Sequence, residues 1–511
     1  MAGPRPPRLP LRPLTLPFDV IAAAAFGALQ TLAFVYTEAW WLQLLGAAWL
    51  AWRGSVTSPG RAGLVGWLYG TAWMATGTFW LFISMNRYGG LPAWMAALAV
   101  LALAGFVSLY LAAAMAAFSR WRMGGPACNS LLFGAVWLLA ELARGVIFTG
   151  FPWLASGYAH VDGPLAALAP FVGVYGLGAV GAALAAWTAL AFTRTRLRYL
   201  GLAGAAAALV LCALVQPALT FTQPTGTLSV TLLQGDIPQD EKFATEHQGE
   251  ALRWHVETMA AAQGDLVIAP ETAVPFLPQQ LPDGFWDQLR QRYATGPTHA
   301  LFGVPLGDEQ AGYTNSAVGL APGAKEPYTY AKHHLVPFGE FIPKGFRWFT
   351  QMMNIPLGDF NRGALNAPSF VVKTERVAPN ICYEDLFGEE LAARFADPAG
   401  APTMMANISN IGWFGETIAV EQHLNISRMR SLEFERAMLR ATNTGATVII
   451  DHRGHVTNSL KPFTRGVLEG PVQGRQGTTP FAWWASRWSL WPLALLGAAV
   501  TAGFIVLRRR L

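Results

Sequence analysis

The sequence predicts a membrane protein in two parts: a multi-pass α-helical domain of about eight transmembrane helices, and one α/β domain that faces water. Three observations carry this. Of the 511 residues, 53% are hydrophobic and only 13% charged, too apolar for a water-soluble chain of this size. The apolar residues are also segregated, since 18–219 is a series of apolar runs, 225–475 is mixed and 490–507 is apolar again. Charge divides the same way: positions 226–475 hold 20 Lys and Arg against 27 Asp and Glu, and the rest of the chain holds 16 against 4. The net charge of +5 therefore reflects basic membrane flanks, and no nucleic-acid partner is expected.

In chain order, positions 1–17 are rich in proline and arginine (Arg5, Arg8, Arg12) and read as a cytoplasmic tail. Candidate spans follow at 18–36, 38–52, 64–83, 94–118, 131–148, 165–192 and 200–219, and an eighth lies at 490–507. The second is short for a hydrocarbon core of ~30 Å. Arginines of the tail, of the Arg53/Arg61 loop, at Arg120 and Arg122, at Arg194, Arg196 and Arg198, and at Arg508–Arg510 all fall on one side, leaving Arg87 and Arg487 on the other. By the positive-inside rule both termini are cytoplasmic and the insert lies across the membrane, in the periplasm of a bacterium. The expected domains are thus 1–17, a seven-helix membrane domain 18–224, a water-facing domain 225–475, and a C-terminal helix and end 476–511.

Within the fifth span Glu141 and Arg144 lie three apart, share a helix face and can pair. The outer loop 150–158, GFPWLASGY, carries Trp153, an aromatic suited to the membrane interface.

The insert alternates strands and helices. Strands are expected at 228–233, 266–269, 300–304, 316–320, 377–381, 404–408 and 447–450, and helices at 246–262, 283–293, 389–395 and 421–441. That pattern makes one α/β domain. It contains no repeat, no metal-spaced cysteine cluster and no phosphate-binding glycine loop.

Its chemistry gathers at strand ends. Pro270 stops an apolar strand and leaves Glu271 at its end, Lys332 follows the alternating stretch YTYA, and Cys382 follows the apolar run 377–381. Cys128 and Cys212 lie in or beside apolar segments, so Cys382 has no disulfide partner in its own domain. A thiol of ordinary pKa near ~8.5 is only slightly ionised at neutral pH and needs help. Glu271 can take its proton as general base, and Lys332 can favour the thiolate and an oxyanion. A competing base is a histidine: His333 and His334 sit beside Lys332, but neighbours on an extended segment point to opposite faces, and His423 begins a helix. No HExxH-like constellation points to a metal, and no cofactor is expected.

The order Glu271, Lys332, Cys382, set in APET, YAKHHLVPFGEFIP and NICYE, resembles the carbon-nitrogen hydrolase (nitrilase) superfamily. With its hydrophobic flanks the whole chain resembles the apolipoprotein N-acyltransferase family, bacterial inner-membrane enzymes that add the third acyl chain to lipoproteins. The resemblance implies an α-β-β-α sandwich and a catalytic Glu271, Lys332 and Cys382. It implies support from Glu340 and Glu384, an acyl path lined by Tyr383, and site positions for Asn315, Asn407 and Trp153. Trp413 and Phe414 of NIGWFG are expected as an exposed aromatic pair that dips into lipid or packs internally, and 355–362 as a mobile lid. One departure is Phe243, where the family pattern leads one to expect tryptophan.

The implied reaction is ping-pong, from a phospholipid donor, expected to be phosphatidylethanolamine, through a thioester on Cys382 to the α-amine of a diacylglyceryl apolipoprotein. Thioester to amide runs downhill, so no nucleotide or metal is needed. Two alternatives remain: a membrane-anchored amidase using water, which needs an open, wet site, and a transporter or sensor. Against the last, Glu141 and Arg144 are the only charges well inside a predicted span.

Overall fold

The computed structural model describes residues 16–194, 197–242, 245–350 and 359–510. Phe243, positions 355–358 of the expected lid and 1–15 of the tail lie outside the described residues.

All eight expected spans fall on helices. Among the described residues six helices are long and apolar enough to cross a membrane: Leu16–Phe34, Ala93–Trp121, Pro126–Thr149, Pro164–Phe192, Arg198–Ala218 and Trp491–Arg510. Expected spans 38–52 and 64–83 correspond to helices Trp41–Val56 and Pro59–Gly77. The first has 16 residues. At 1.5 Å per residue it measures about 24 Å, short of the hydrocarbon core.

A charge that hydropathy passes over holds these helices together. Asp19 is fully buried and pairs with Arg53 at 2.8 Å and Arg61 at 2.5 Å, tying the first helix to the two that follow. The sequence reading missed it because Asp19 sits at the very start of its apolar run. Glu141 and Arg144 do pair, at 3.5 Å, and both are buried. They also clasp the loop 150–158: Ser156 donates from N (2.7 Å) and Oγ (2.8 Å) to Glu141, while Arg144 donates to the carbonyls of Phe151 (2.9 Å) and Trp153 (2.6 Å).

Among the described residues the α/β half has twelve strands: β1 Thr222–Gln234, β2 Leu266–Ile268, β3 His299–Asp308, β4 Gly312–Leu320, β5 Tyr328–Ala331, β6 Phe370–Val372, β7 Glu375–Ile381, β8 Met404–Ser409, β9 Ala437–Thr442, β10 Val448–Ile450, β11 Val456–Ser459 and β12 Gly466–Gly477. They form two six-stranded sheets, in the orders β12-β1-β2-β3-β4-β5 and β11-β10-β9-β8-β7-β6. Each is parallel at its centre, β1-β2-β3 in one and β7-β8-β9 in the other, and antiparallel outside it.

The sheets stack through Val230, Leu232, Ile268 and Leu301 of one against Ile381, Ala406, Ile408 and Leu439 of the other. Helices Thr245–Ala261 and Phe285–Thr295 cover the first sheet, with Leu252, Met259 and Leu289 against Val267 and Phe302. Helices Gly388–Ala392 and Ala419–Phe434 cover the second, with Leu391, Val420 and Phe434 against Met405, Met438 and Val448. Four layers result, α-β-β-α. Both outer faces of a parallel-centred sheet must be covered, because its strands are apolar on both sides.

One expected element is corrected. The helix placed at 421–441 stops at Phe434; Glu435 turns left-handed at φ 47°, and Ala437–Thr442 is strand β9 between β8 and β10. Every residue of β9 is buried, so it lacks alternation, and it is written largely in helix formers. Pairing on both edges overrides that propensity. Glu435 fixes the break by accepting from Phe221 N (2.9 Å) and Thr222 Oγ1 (2.8 Å).

The Ala419–Phe434 helix lies between the second sheet and the membrane helices, which is why almost all of it is buried. Val174 N donates to Glu433 at 2.7 Å, Asn425 Nδ2 to the Phe34 carbonyl at 3.2 Å, and Tyr158 Oη to the Leu386 carbonyl at 3.1 Å. The end of the sandwich that carries the candidate residues therefore rests on the membrane half.

Candidate active site

Strand ends converge at one place. Glu271 lies three residues beyond β2, Lys332 follows β5 and Cys382 follows β7. Cys382 has φ 53°, a left-handed conformation unusual for a residue with a Cβ, and Thr272 beside Glu271 has φ 56°. Such strain concentrates where a side chain must be aimed.

Lys332 is 1% exposed and faces two carboxylates, Glu340 at 2.9 Å and Glu271 at 3.6 Å. Asn315 on β4 bridges the same pair, its Nδ2 donating to Glu271 at 2.7 Å and to Glu340 at 2.6 Å. The other oxygen of each carboxylate takes a backbone N–H, from Asn410 to Glu271 (2.9 Å) and from Val336 to Glu340 (2.8 Å). Glu384 ties the elbow to the loop after β5: it accepts from Ile381 N (2.7 Å), His333 N (2.6 Å), His334 N (3.2 Å) and Tyr330 Oη (2.8 Å). Of the expected site residues, the fold thus gathers Glu271, Lys332, Glu340 and Asn315 around one ammonium, with Cys382 and Glu384 at the adjoining turn.

The electrostatics follow from this arrangement. The Cys382 thiol is pushed up to about 12, chiefly by burial among its neighbours and then by the Glu271 carboxylate, with Lys332 pulling the other way. The residue nonetheless keeps partial access to solvent. Burial alone would lower Lys332; the charges of Glu340, Glu271 and Cys382 outweigh it and hold the ammonium above its ordinary value. Glu384 is raised by burial, against the N–H of Ile381 and the charge of Lys332. Such a site holds a fixed cation beside a protonated thiol and a carboxylate. It can remove the thiol proton as bond formation proceeds and stabilise the negative charge that then develops.

The membrane half reaches this centre. Tyr383 is buried and its Oη donates to the Gly150 carbonyl at 3.3 Å. Trp153 is 3% exposed, so interfacial anchoring does not account for it: its Nε1 donates to Gln422 Oε1 at 2.8 Å and its ring stacks on His423 at 5.6 Å. The expected exposure of Trp413 and Phe414 is also corrected. Both are half-buried; Phe414 lies 4.2 Å from Trp80 between ring centroids, and Trp413 meets Tyr88 edge-on at 5.6 Å. The membrane helices cover a pair that in a soluble domain would face water.

His333 bonds the Gly363 carbonyl through Nδ1 at 2.8 Å, and His334 Nδ1 lies 3.0 Å from Glu390 while its ring stacks on Phe387. These bonds turn both rings to partners other than the thiol. Asn407 donates to the Cys382 carbonyl at 3.1 Å. Sequence reasoning missed Gln422, which receives N–H groups from both Trp80 (3.1 Å) and Trp153 and donates to the Gly77 carbonyl (3.0 Å). It also missed Asp385 and Arg440, paired at 3.2 Å with no exposure. For Gln422 the available signal was the polar content of 419–434; Asp385 and Arg440 lie outside that helix and carried none.

A two-sheet sandwich with Glu, Lys and Cys at adjoining strand ends defines the carbon-nitrogen hydrolase class, and the family model described as carbon-nitrogen hydrolase matches residues 229–480. A second, described as the apolipoprotein N-acyltransferase N-terminal domain, matches residues 26–187. The chain is 54% identical to the apolipoprotein N-acyltransferase of Verminephrobacter eiseniae, with 93% of each chain covered. It is 47% identical to that of Ralstonia nicotianae, over 91% of this chain and 90% of the relative, and 40% identical to that of Bordetella bronchiseptica, over 94% and 96%. The chain belongs to the apolipoprotein N-acyltransferase family.

Proposed function

We propose that this protein transfers an acyl chain from a phospholipid to the N-terminal α-amine of diacylglyceryl-cysteine apolipoproteins, through a thioester on Cys382. The observation that carries the reading is the set Cys382, Glu271 and Lys332 at the very end of the sandwich that touches the membrane helices. A soluble amidase has no use for that placement.

Because burial and the Glu271 charge hold its thiol well above the ordinary value, Cys382 is protonated at pH 7, so attack and deprotonation go together. Glu271 takes the thiol proton as sulfur adds to the ester carbonyl, and Lys332 stabilises the oxyanion. Collapse breaks the ester C–O bond; the proton passes from Glu271 to the departing oxygen and lysophospholipid leaves. In the second half, the neutral α-amine adds to the thioester and Glu271 takes a proton from nitrogen. The C–S bond then breaks, the proton returns to sulfur, and the amide departs. Glu340 and Asn315 hold Lys332 and Glu271 in register, and Glu384 fixes the elbow.

Phosphatidylethanolamine is the proposed donor, in keeping with the family resemblance. The positive-inside distribution of arginines supports an inner-membrane location with the α/β half, 225–475, in the periplasm and both termini in the cytoplasm. Tyr383 and Trp153 are assigned to the wall through which the lipid substrates approach, and Trp413 to the adjoining contact with the membrane half.

The test is transfer from acyl-labelled phosphatidylethanolamine to a diacylglyceryl-cysteine peptide by the purified full-length protein. Label in amide linkage to the peptide, lost in Cys382→Ala, is expected. Release of free fatty acid at the same rate with and without peptide would favour the water-using amidase instead.

A further inference from the structure

Behind Cys382 lies a polar cluster that the reaction above does not use. His423, in the first turns of the Ala419–Phe434 helix, is fully buried. Its Nε2 is 3.2 Å from the backbone carbonyl oxygen of Cys382 and 3.0 Å from Asp385 Oδ1. Its Nδ1 is 3.1 Å from Arg440 Nη2. A guanidinium can only donate, so Nδ1 is the acceptor and the ring N–H sits on Nε2, shared between Asp385 and the Cys382 carbonyl.

The ring is held from every side. Arg440 bonds Asp385 at 3.2 Å and the carbonyl of His423 itself at 3.3 Å, and Ser427 donates to the same aspartate. Trp153 of the membrane half stacks on the imidazole with 23° between planes, and its indole N–H is anchored on Gln422, the residue before His423. The carbonyl that His423 grips belongs to a residue at φ 53°, and Asn407 Nδ2 grips it as well, at 3.1 Å. A left-handed conformation at a non-glycine residue persists only where its surroundings over-determine it. Two side-chain donors on one carbonyl provide that.

We propose that His423 is a positioning residue for Cys382: its Nε2–H holds the elbow in the conformation that aims the thiol, and the stacking of Trp153 makes that hold depend on the membrane-half loop 150–158. The role rests on Cys382 being the acyl-carrying nucleophile. It also assigns a purpose to a histidine whose bond is to the carbonyl of Cys382, which sets it apart from a base for the thiol.

Gln and Asn substitutions separate the bond from mere bulk, because a glutamine amide nitrogen reaches the position of Nε2 and an asparagine one only that of Nδ1. The full-length protein is mixed with phosphatidylethanolamine in nanodiscs and the gain of one acyl chain is followed in time by intact mass, for wild type, His423→Gln, His423→Asn, Trp153→Leu and Cys382→Ala. His423→Asn is expected to slow acylation at saturating phospholipid roughly tenfold, with half-saturation within about twofold of wild type, and His423→Gln to restore most of the rate. Trp153→Leu, which keeps His423, is expected to lower the same maximal rate severalfold.

Acylation of His423→Asn at the wild-type rate overturns the proposal, as does equal slowing by Asn and Gln, or an effect confined to half-saturation. If His423→Asn does not fold, an unchanged maximal rate in Trp153→Leu overturns the coupling, and a roughly tenfold slowing in His423→Gln overturns the bond. A wild-type protein that gains no acyl chain refutes the nucleophile itself, an outcome distinct from the others because every variant then behaves as Cys382→Ala.

Discussion

Two buried charge clusters, one in each half of the molecule, look alike on paper. In the membrane half Asp19 faces Arg53 and Arg61; in the α/β half Lys332 faces Glu271 and Glu340. Each is one buried charge against two of the opposite sign, although Arg61 keeps 28% of its side chain exposed. They differ in what surrounds them. Asp19 ties three helices, and no nucleophile is among its partners. The charges of Lys332 and Glu271 instead bear on the thiol of Cys382, on an elbow held at φ 53°, and the carboxylates of Glu271 and Glu340 are oriented by backbone N–H groups of separate loops. Buried charge alone therefore marks structure; buried charge beside a strained nucleophile marks chemistry.

That contrast can be broken from either end. The largest effect expected after loss of the nucleophile is Glu271→Gln, which keeps the size of the side chain but, with one carbonyl oxygen, accepts from only one of Asn315 and Asn410 and cannot take the proton: acyl transfer per folded molecule should fall by roughly 10²–10⁴ in a steady-state assay. Lys332→Met should follow, at roughly 10²–10³, read in the same assay. If either variant retained near-normal turnover, the Lys332 cluster would be no more chemical than the Asp19 one.

A sharper discrimination comes from the thiol itself. The Glu271 charge raises its pKa and the Lys332 charge lowers it. In labelling of Cys382 by iodoacetamide as a function of pH, Glu271→Gln should therefore move the onset of reaction to lower pH than in wild type, and Lys332→Met to higher pH. Turnover falls in both, so opposite shifts cannot arise from general damage. Movement in the same direction would contradict the electrostatic account.

The smallest effect on chemistry belongs to Asp19→Asn. Removing one partner of a buried pair costs about 3–5 kcal/mol, so the unfolding midpoint should drop, while turnover per folded molecule stays within about twofold. A large fall in turnover without loss of stability would assign the membrane cluster a part in the reaction.

Legibility in the sequence followed the same divide. Glu271, Lys332 and Cys382 could be read because apolar runs with a clear stop, such as Pro270, deliver each to a strand end. The stacking of two sheets could be had only from resemblance, since alternating strands and helices fit several α/β architectures. Strand β9 was read as helix because AMLRAT carries helix formers and no alternation, and only its two neighbours in the sheet make it a strand. Trp153 fitted interfacial anchoring as well as a site position, and Phe414 fitted lipid contact as well as internal packing, because the partners that decide both are remote in the chain: Gln422 for Trp153 and Trp80 for Phe414. Asp385, His423 and Arg440 are scattered along the chain, and no spacing rule joins them.

Whether Cys382 carries the acyl chain is decided by intact mass of the full-length protein after incubation with phosphatidylethanolamine, beside Cys382→Ala. The expected result is a gain of one acyl chain that hydroxylamine removes and that the alanine variant never shows. A folded wild-type protein that acquires no such adduct, or an adduct that persists in Cys382→Ala, rules out the thioester on Cys382.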